Sequence, residues 1–113
     1  MNRVGARARS GPVRSRPEAE PLTYPKLTMT LLVRNEADIL EDNIRFHYAM
    51  GVSSFIVMDN LSTDATPQII KALSQEIDIE YLHQPADDYM QREWVTEMAR
   101  KAAAEHGADW VIN

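Results

Sequence analysis

Short apolar runs alternate with amphipathic segments along the chain, and this pattern predicts alternating strands and helices. The apolar or strictly alternating runs predict strands over 27–33, 54–58, 77–82 and 109–112. Apolar residues recurring every three or four positions predict helices over about 38–50, 67–74 and 90–106. The order β-α-β-α-β-α-β leaves connections long enough for right-handed parallel crossovers. We therefore expect an α/β fold, a parallel sheet with helices on both faces.

The helix and strand details give further expectations. Asp38 and Glu41 have the spacing of a capping box at the start of the first helix, and Gly51 ends it. The predicted inner face of this helix consists of Ile39, Leu40, Ile44, His47 and Tyr48. Asp88 and Gln91 have the same capping-box spacing before the third helix. The last strand has the apolar content of a central strand, and Trp94 and Trp110 are expected to pack in the core.

Composition and charge narrow the class of protein. The chain has 113 residues and no cysteine, which suits one small domain and excludes disulfides and zinc–thiolate sites. Residues 1–16 carry five arginines and no acid, so the remainder holds 7 basic and 17 acidic residues. We predict a disordered tail over 1–25 and a domain over 26–113. The acidic domain should repel nucleic acid. No apolar run is long enough to span a membrane, and a cytoplasmic location is expected.

The sequence places polar residues at the predicted carboxyl ends of the strands. The first strand leads into Arg34 and Asn35, and the second into Asp59 and Asn60. The carboxyl ends of parallel strands share one edge, where α/β proteins bind ligands. There is no glycine-rich phosphate loop. A carboxylate such as Asp59 accepts hydrogen bonds, so it suits the imide N–H of a base or ribose hydroxyls, and a nucleoside fits that chemistry.

The segment from Asp59 to Thr66, Asp-Asn-Leu-Ser-Thr-Asp-Ala-Thr, resembles the D-x-x-S-x-D-x-T signature of family 2 glycosyltransferases with the GT-A fold. The turn Arg34-Asn35-Glu36, together with His47 and the helix end Gly51-Val52, is similar to one branch of that family. The resemblance extends over residues 27–113. It implies that the chain is the nucleotide-sugar-binding half of a three-layer GT-A domain.

The resemblance also implies roles for individual residues. Asp59 would contact the base of a nucleotide sugar, most often uracil, and Asn60 beside it would also take part in binding the nucleotide. Arg34 and Asn35 would flank the same nucleoside. The residues themselves leave alternatives open: Arg34 could be a solvated charge or the positive partner of a phosphate, and Asn35 a turn former. Arg92 would approach the diphosphate. Three further residues would shape the loop: Ser62, Asp64 and Thr66.

One motif of the family is missing from this sequence. The D-x-D motif, whose carboxylates hold a divalent ion (Mg or Mn) on the diphosphate, would begin directly after Asn113. The complete enzyme is expected to need that metal, its ligands are not in this chain, and no catalytic residue is assigned. We therefore expect a chain that binds an activated, UDP-linked donor but does not transfer the sugar to the unknown acceptor by itself. The alternatives are a non-catalytic α/β interaction module from a truncated gene product and, less favoured, a nucleic-acid binder acting through the arginine tail.

Overall fold

Four parallel strands and three helices make up the domain. The computed structural model describes residues 25–88 and 90–113. In chain order the elements are β1 Leu27–Val33, α1 Leu40–Ala49, β2 Ser54–Asn60, α2 Thr66–Leu73, β3 Ile79–Gln84, α3 Gln91–Glu105 and β4 Trp110–Ile112. All strand pairings are parallel, which confirms the predicted α/β class. The predicted disordered tail, apart from Pro25, lies outside the described residues. None of the three described helices is long and apolar enough to cross a membrane.

The strand order is β3-β2-β1-β4. The chain first moves from β1 to β2 to β3 in one direction and then returns to the other side of β1. Right-handed crossovers that run in opposite directions place their helices on opposite faces of the sheet. This explains why α1 and α2 share one face and α3 covers the other. The reversal also creates a topological switch point between the carboxyl ends of β1 and β4, where α/β sheets bind ligands.

Two apolar clusters fill the spaces between the layers. The larger one joins β1 and β2 to the helices α1 and α2, and its fully buried members include Leu40, Ile44, Phe55 and Ile70. The smaller one joins the opposite face of the sheet to α3 through Ile56, Trp94, Met98 and Ala102. Every residue of β2 is buried because this strand has neighbours on both edges and helices on both faces. The arrangement is a three-layer α/β sandwich.

The start of α1 differs from the predicted capping box. The helix begins at Leu40 with Ile39 as its N-cap, and no side chain caps it. The carbonyl of Glu36 instead accepts the backbone N–H groups of Ile39 and Leu40 at 3.1 and 3.0 Å. The predicted inner face of α1 was partly wrong, since Ile39 and Tyr48 are exposed. At α3 the predicted box is also absent, because Met90 and not Asp88 is the N-cap and its side chain makes no cap bond, but Asp88 Oδ1 does accept the backbone N–H of Met90 at 3.4 Å.

The strand β4 lies at the edge of the described sheet and not in its centre. It pairs with β1 over three residues, from Leu27 with Trp110 to Met29 with Ile112. Trp94 is buried as predicted, whereas Trp110 is 64% exposed, so the predicted core role of Trp110 was wrong. Trp110 and Ile112 lie on the face of the sheet that α1 and α2 cover. Both residues are exposed, since α1 connects β1 to β2 and α2 connects β2 to β3, on the side of β1 away from β4.

Candidate functional site

Hydrogen bonds join the loop after β1 to the loop after β2. Asn35 has a left-handed backbone (φ 55°), which asparagine adopts more readily than most residues. Its backbone N–H donates to the hydroxyl of Ser62 at 2.9 Å. Its side-chain oxygen accepts the backbone N–H groups of Thr63 at 2.7 Å and Asp64 at 3.3 Å. Asn35 is thus a turn residue whose amide oxygen is occupied within the protein, while its contact with a nucleoside stays a prediction.

Asp64 completes this junction at the start of α2. Its Oδ1 accepts the backbone N–H of Thr66 at 2.9 Å and the Thr66 hydroxyl at 2.6 Å, while its Oδ2 accepts the backbone N–H of Ala37 at 3.2 Å. The Thr66 hydroxyl in turn accepts the backbone N–H of Glu36 at 3.0 Å. The bond from the Thr66 hydroxyl is the main reason why the pKa of Asp64 lies below its ordinary value. Loop and helix are therefore fixed relative to β1 before any ligand is present.

Asp59 lies at the carboxyl end of β2, opposite Val33 of β1, one strand away from the switch point. Its side chain points to the face of α1 and α2, and only 1% of the residue is exposed. One carboxylate oxygen, Oδ2, accepts the hydroxyl of Tyr81 at 3.1 Å. The other, Oδ1, is buried and has no hydrogen-bond donor among the described residues. Buried polar atoms are nearly always paired, so the unpaired oxygen of Asp59 is a position where a hydrogen-bond donor can bind.

Asn60 has a mainly structural position next to Asp59. Its side-chain amino group donates to the backbone carbonyls of Gln84 at 3.0 Å and Ala86 at 2.8 Å. It thus holds the turn between β3 and α3 against the end of β2. Any ligand contact by Asn60 therefore falls to its carbonyl oxygen. Leu61, which follows it, has a left-handed backbone (φ 62°), an unfavourable conformation for leucine that nothing in the sequence signals.

The two predicted arginines occupy different parts of the surface. Arg34 is half-exposed and forms an ion pair with Asp87 at 3.6 Å, which brings the end of β1 close to the turn before α3. Exposed pairs of this kind contribute little to stability, so Arg34 can leave Asp87 for another anion. Arg92 lies in an exposed groove on α3 beside Thr96 and Arg100. No hydrogen bond or ion pair of the described residues joins Arg92 to the Asp59 region.

The described residues do not fit the divalent metal that the resemblance implies. No group of three histidine or acidic side chains within residues 25–88 and 90–113 could hold a metal ion. We therefore assign no step of any reaction to a metal held by these residues.

A second polar group lies at the opposite edge of the sheet and was not expected from the sequence. His106 approaches Ser54 through Nδ1 at 3.3 Å and Glu80 through Nε2 at 2.8 Å. The order serine, histidine, glutamate is that of a hydrolase triad. Ser54 is fully buried and shares a hydrogen bond with the Thr28 hydroxyl at 2.7 Å, so no substrate can reach it. The hydrogen bonds of His106 with Ser54 and Glu80 hold the end of α3 against the amino ends of β2 and β3.

Comparisons with protein-family models, with curated proteins and with solved structures found no significant match for this chain.

Proposed function

We propose that this chain is the nucleotide-sugar-binding portion of a family 2-like glycosyltransferase with a GT-A fold, and that it binds the nucleoside of a UDP-linked donor. In the complete enzyme the donor's sugar would pass to an acceptor with the help of a divalent ion. Within the described residues the proposal is limited to donor binding. No catalytic residue is assigned.

The unpaired oxygen of Asp59 is the observation that carries the proposal. A carboxylate is an acceptor only, so Oδ1 requires an N–H or O–H donor. The uracil ring presents one such donor, its imide N–H, between two carbonyl groups. A ligand that supplies this donor recovers a hydrogen bond to a charged group, worth about 1.5–3 kcal/mol. The carboxylate thus favours uridine over a group that offers only acceptors, such as a bare phosphate.

Two further features of the site support nucleoside binding. The bonds between the loops after β1 and β2 fix the backbone of these two loops relative to each other, so little order has to be created in them when a ligand binds. Arg34 lies at the same edge with a weak, exposed partner, Asp87, and can turn to a diphosphate. Asp59 also belongs to the signature that resembles family 2 enzymes.

Access to Asp59 sets a condition on this function. Because only 1% of Asp59 is exposed and Oδ1 is buried, a nucleoside reaches this oxygen only after the groups that cover it have moved. Binding that waits for such an opening is slower than diffusion allows, and its apparent affinity is reduced by the closed fraction. We therefore expect weak binding of UDP, with an association rate that stops rising at high UDP concentration.

The test is a calorimetric titration of the whole chain with UDP. The variant Asp59→Asn keeps the shape of the side chain and removes the charge, and we expect it to bind UDP at least tenfold more weakly than the wild type. Asp78→Asn is the matched control, since Asp78 is exposed and precedes β3 at the other edge of the sheet. Its affinity should stay within twofold of the wild type. Equal binding by Asp59→Asn and the wild type, or no binding by the wild type, overturns the proposal.

A further inference from the structure

As long as Tyr81 donates a hydrogen bond to one oxygen of the Asp59 carboxylate, only the second oxygen is available to a ligand. Tyr81 lies on β3 opposite Val57, so it stands diagonally to Asp59 on the same face of the sheet. Its hydroxyl donates to Oδ2 at 3.1 Å. Without that bond the two carboxylate oxygens are equivalent, and rotation about the side chain exchanges them. With it, Oδ1 is always the oxygen left for a ligand.

The environment of Tyr81 keeps this hydroxyl in place and protonated. The ring is half-buried against the larger apolar cluster, and the ammonium group of Lys71 lies 6.0 Å from the ring centroid, at the limit of a cation–π contact. Burial, and then the hydrogen bond to Asp59, raises the pKa of the Tyr81 phenol. The hydroxyl therefore remains a donor throughout the physiological range of pH.

The neutrality of this partner matters for the ligand. An arginine or lysine beside Asp59 would cancel its charge and satisfy both oxygens. The hydroxyl of Tyr81 satisfies one oxygen and brings no positive charge to the carboxylate. The amine of Lys71 lies over the tyrosine ring and makes no ion pair with Asp59 among the described residues. Asp59 thus keeps one directed acceptor, Oδ1, and forms no ion pair with a described residue.

We infer that Tyr81 is a positioning residue that orients Asp59 so that Oδ1 selects ligands carrying an N–H donor, such as the imide of uracil. The inference rests on the proposed function, because it needs a nucleoside at Asp59. Tyr81 touches no ligand atom in this scheme, and it acts through the carboxylate alone.

The experiment compares UDP with N3-methyl-UDP, which lacks the imide N–H. Wild-type protein should bind UDP at least tenfold more tightly than the methylated analogue. In Tyr81→Phe the ratio of the two affinities should fall below threefold, mainly through weaker binding of UDP. Tyr48→Phe is the matched control, since Tyr48 is half-exposed on α1, and it should keep the wild-type ratio. A purely structural role for Tyr81 would weaken both ligands equally and leave the ratio unchanged.

The outcomes separate this inference from the proposed function. A wild type that discriminates and a Tyr81→Phe variant with the same ratio overturn the inference, while the proposed function stands. A wild type that binds neither nucleotide overturns both. A second measurement needs no change at position 81: in protein labelled with ¹³C at the tyrosine ζ carbon, UDP should shift the Tyr81 signal in the wild type but not in Asp59→Asn. An unmoved Tyr81 signal in UDP-saturated wild type overturns the inference.

Discussion

Replacing Asp59 by asparagine should make the ligand-free protein more stable. Asp59 is buried, and its only described hydrogen-bond partner is the neutral hydroxyl of Tyr81. Taking an ionised carboxylate out of water costs several kcal/mol after relaxation. The bond from Tyr81 returns about 1.5–3 kcal/mol of that cost, and Oδ1 recovers nothing. Asparagine has nearly the same shape, carries no charge and can still accept the Tyr81 hydroxyl.

The size of the effect follows from these terms. The side-chain amide introduced by Asp59→Asn would leave N–H groups without partners, at a cost of about 1–3 kcal/mol, which is less than the cost of the buried charge. Because asparagine keeps a bond from Tyr81, the rise in the free energy of unfolding is the excess of the cost of the buried charge over that of the unpaired amide, about 1–3 kcal/mol. For a domain of this size each kcal/mol raises Tm by about 4–8 °C. Urea denaturation should show a higher midpoint with an unchanged slope, because the surface exposed on unfolding stays the same.

The matched control is Asp64→Asn. Asp64 is exposed and accepts hydrogen bonds with both oxygens, so the introduced amide would turn an N–H group towards the Ala37 N–H, and the variant should be less stable than the wild type. A fall of about 1 kcal/mol or more for Asp59→Asn refutes the reasoning, since the carboxylate would then be stabilised by partners. A rise in stability combined with lost UDP binding would show that the native residue is retained for its ligand.

Three further predictions concern stability. Trp94→Ala should cost about 3–5 kcal/mol in urea denaturation because it empties part of the cluster under α3, whereas Trp110→Ala should cost less than about 1 kcal/mol because its ring is exposed. The hydrogen bond from His106 is the main cause of the lowered pKa of Glu80, so this carboxylate stabilises the fold above about pH 4.3, the ordinary pKa of glutamate. That contribution is lost as the pH falls through the lowered pKa. Glu80→Gln should therefore abolish this part of the dependence of the free energy of unfolding on pH. The same dependence in the variant and the wild type would contradict the prediction. Asn35→Ala should cost about 2 kcal/mol, from lost hydrogen bonds and an alanine forced into left-handed geometry, and a loss below about 0.5 kcal/mol would show that the loop junction is unimportant.

The apolar runs were sufficient to locate the strands, because a buried parallel strand needs nearly continuous apolar residues. The predicted range 27–33 is that of β1, and the predicted start of β2 at Ser54 is also observed. The position of β4 could not be predicted in this way. Its apolar composition indicated a central strand, but the strand order depends on which way each crossover turns, and periodicity carries no information on that.

The polar residues show the same division. The position of Asp59 at the end of a buried strand follows from the sequence pattern. Which of its two carboxylate oxygens stays unpaired depends on Tyr81, which is 22 residues away. The partners of Asn60 lie 24 and 26 residues away and were equally invisible. Asn35 was predicted with two possible roles, and the backbone N–H groups that its side chain accepts come from the next loop. In each of these three cases the hydrogen-bond partner lies in a segment that is distant along the chain.

The position of β4 has a consequence for how the domain folds and opens. Pairing Leu27 with Trp110 closes a loop of 83 residues, whereas pairing Thr28 with Ser54 closes one of 26. The longer loop costs about 1 kcal/mol more in chain entropy, and β4 repays it with only three residues, two of them exposed. We therefore expect β4 to join the sheet last during folding and to detach first in native-state hydrogen exchange, with the Trp110 amide exchanging before those of β2. One side of the topological switch point is then a strand that opens without unfolding the rest of the domain.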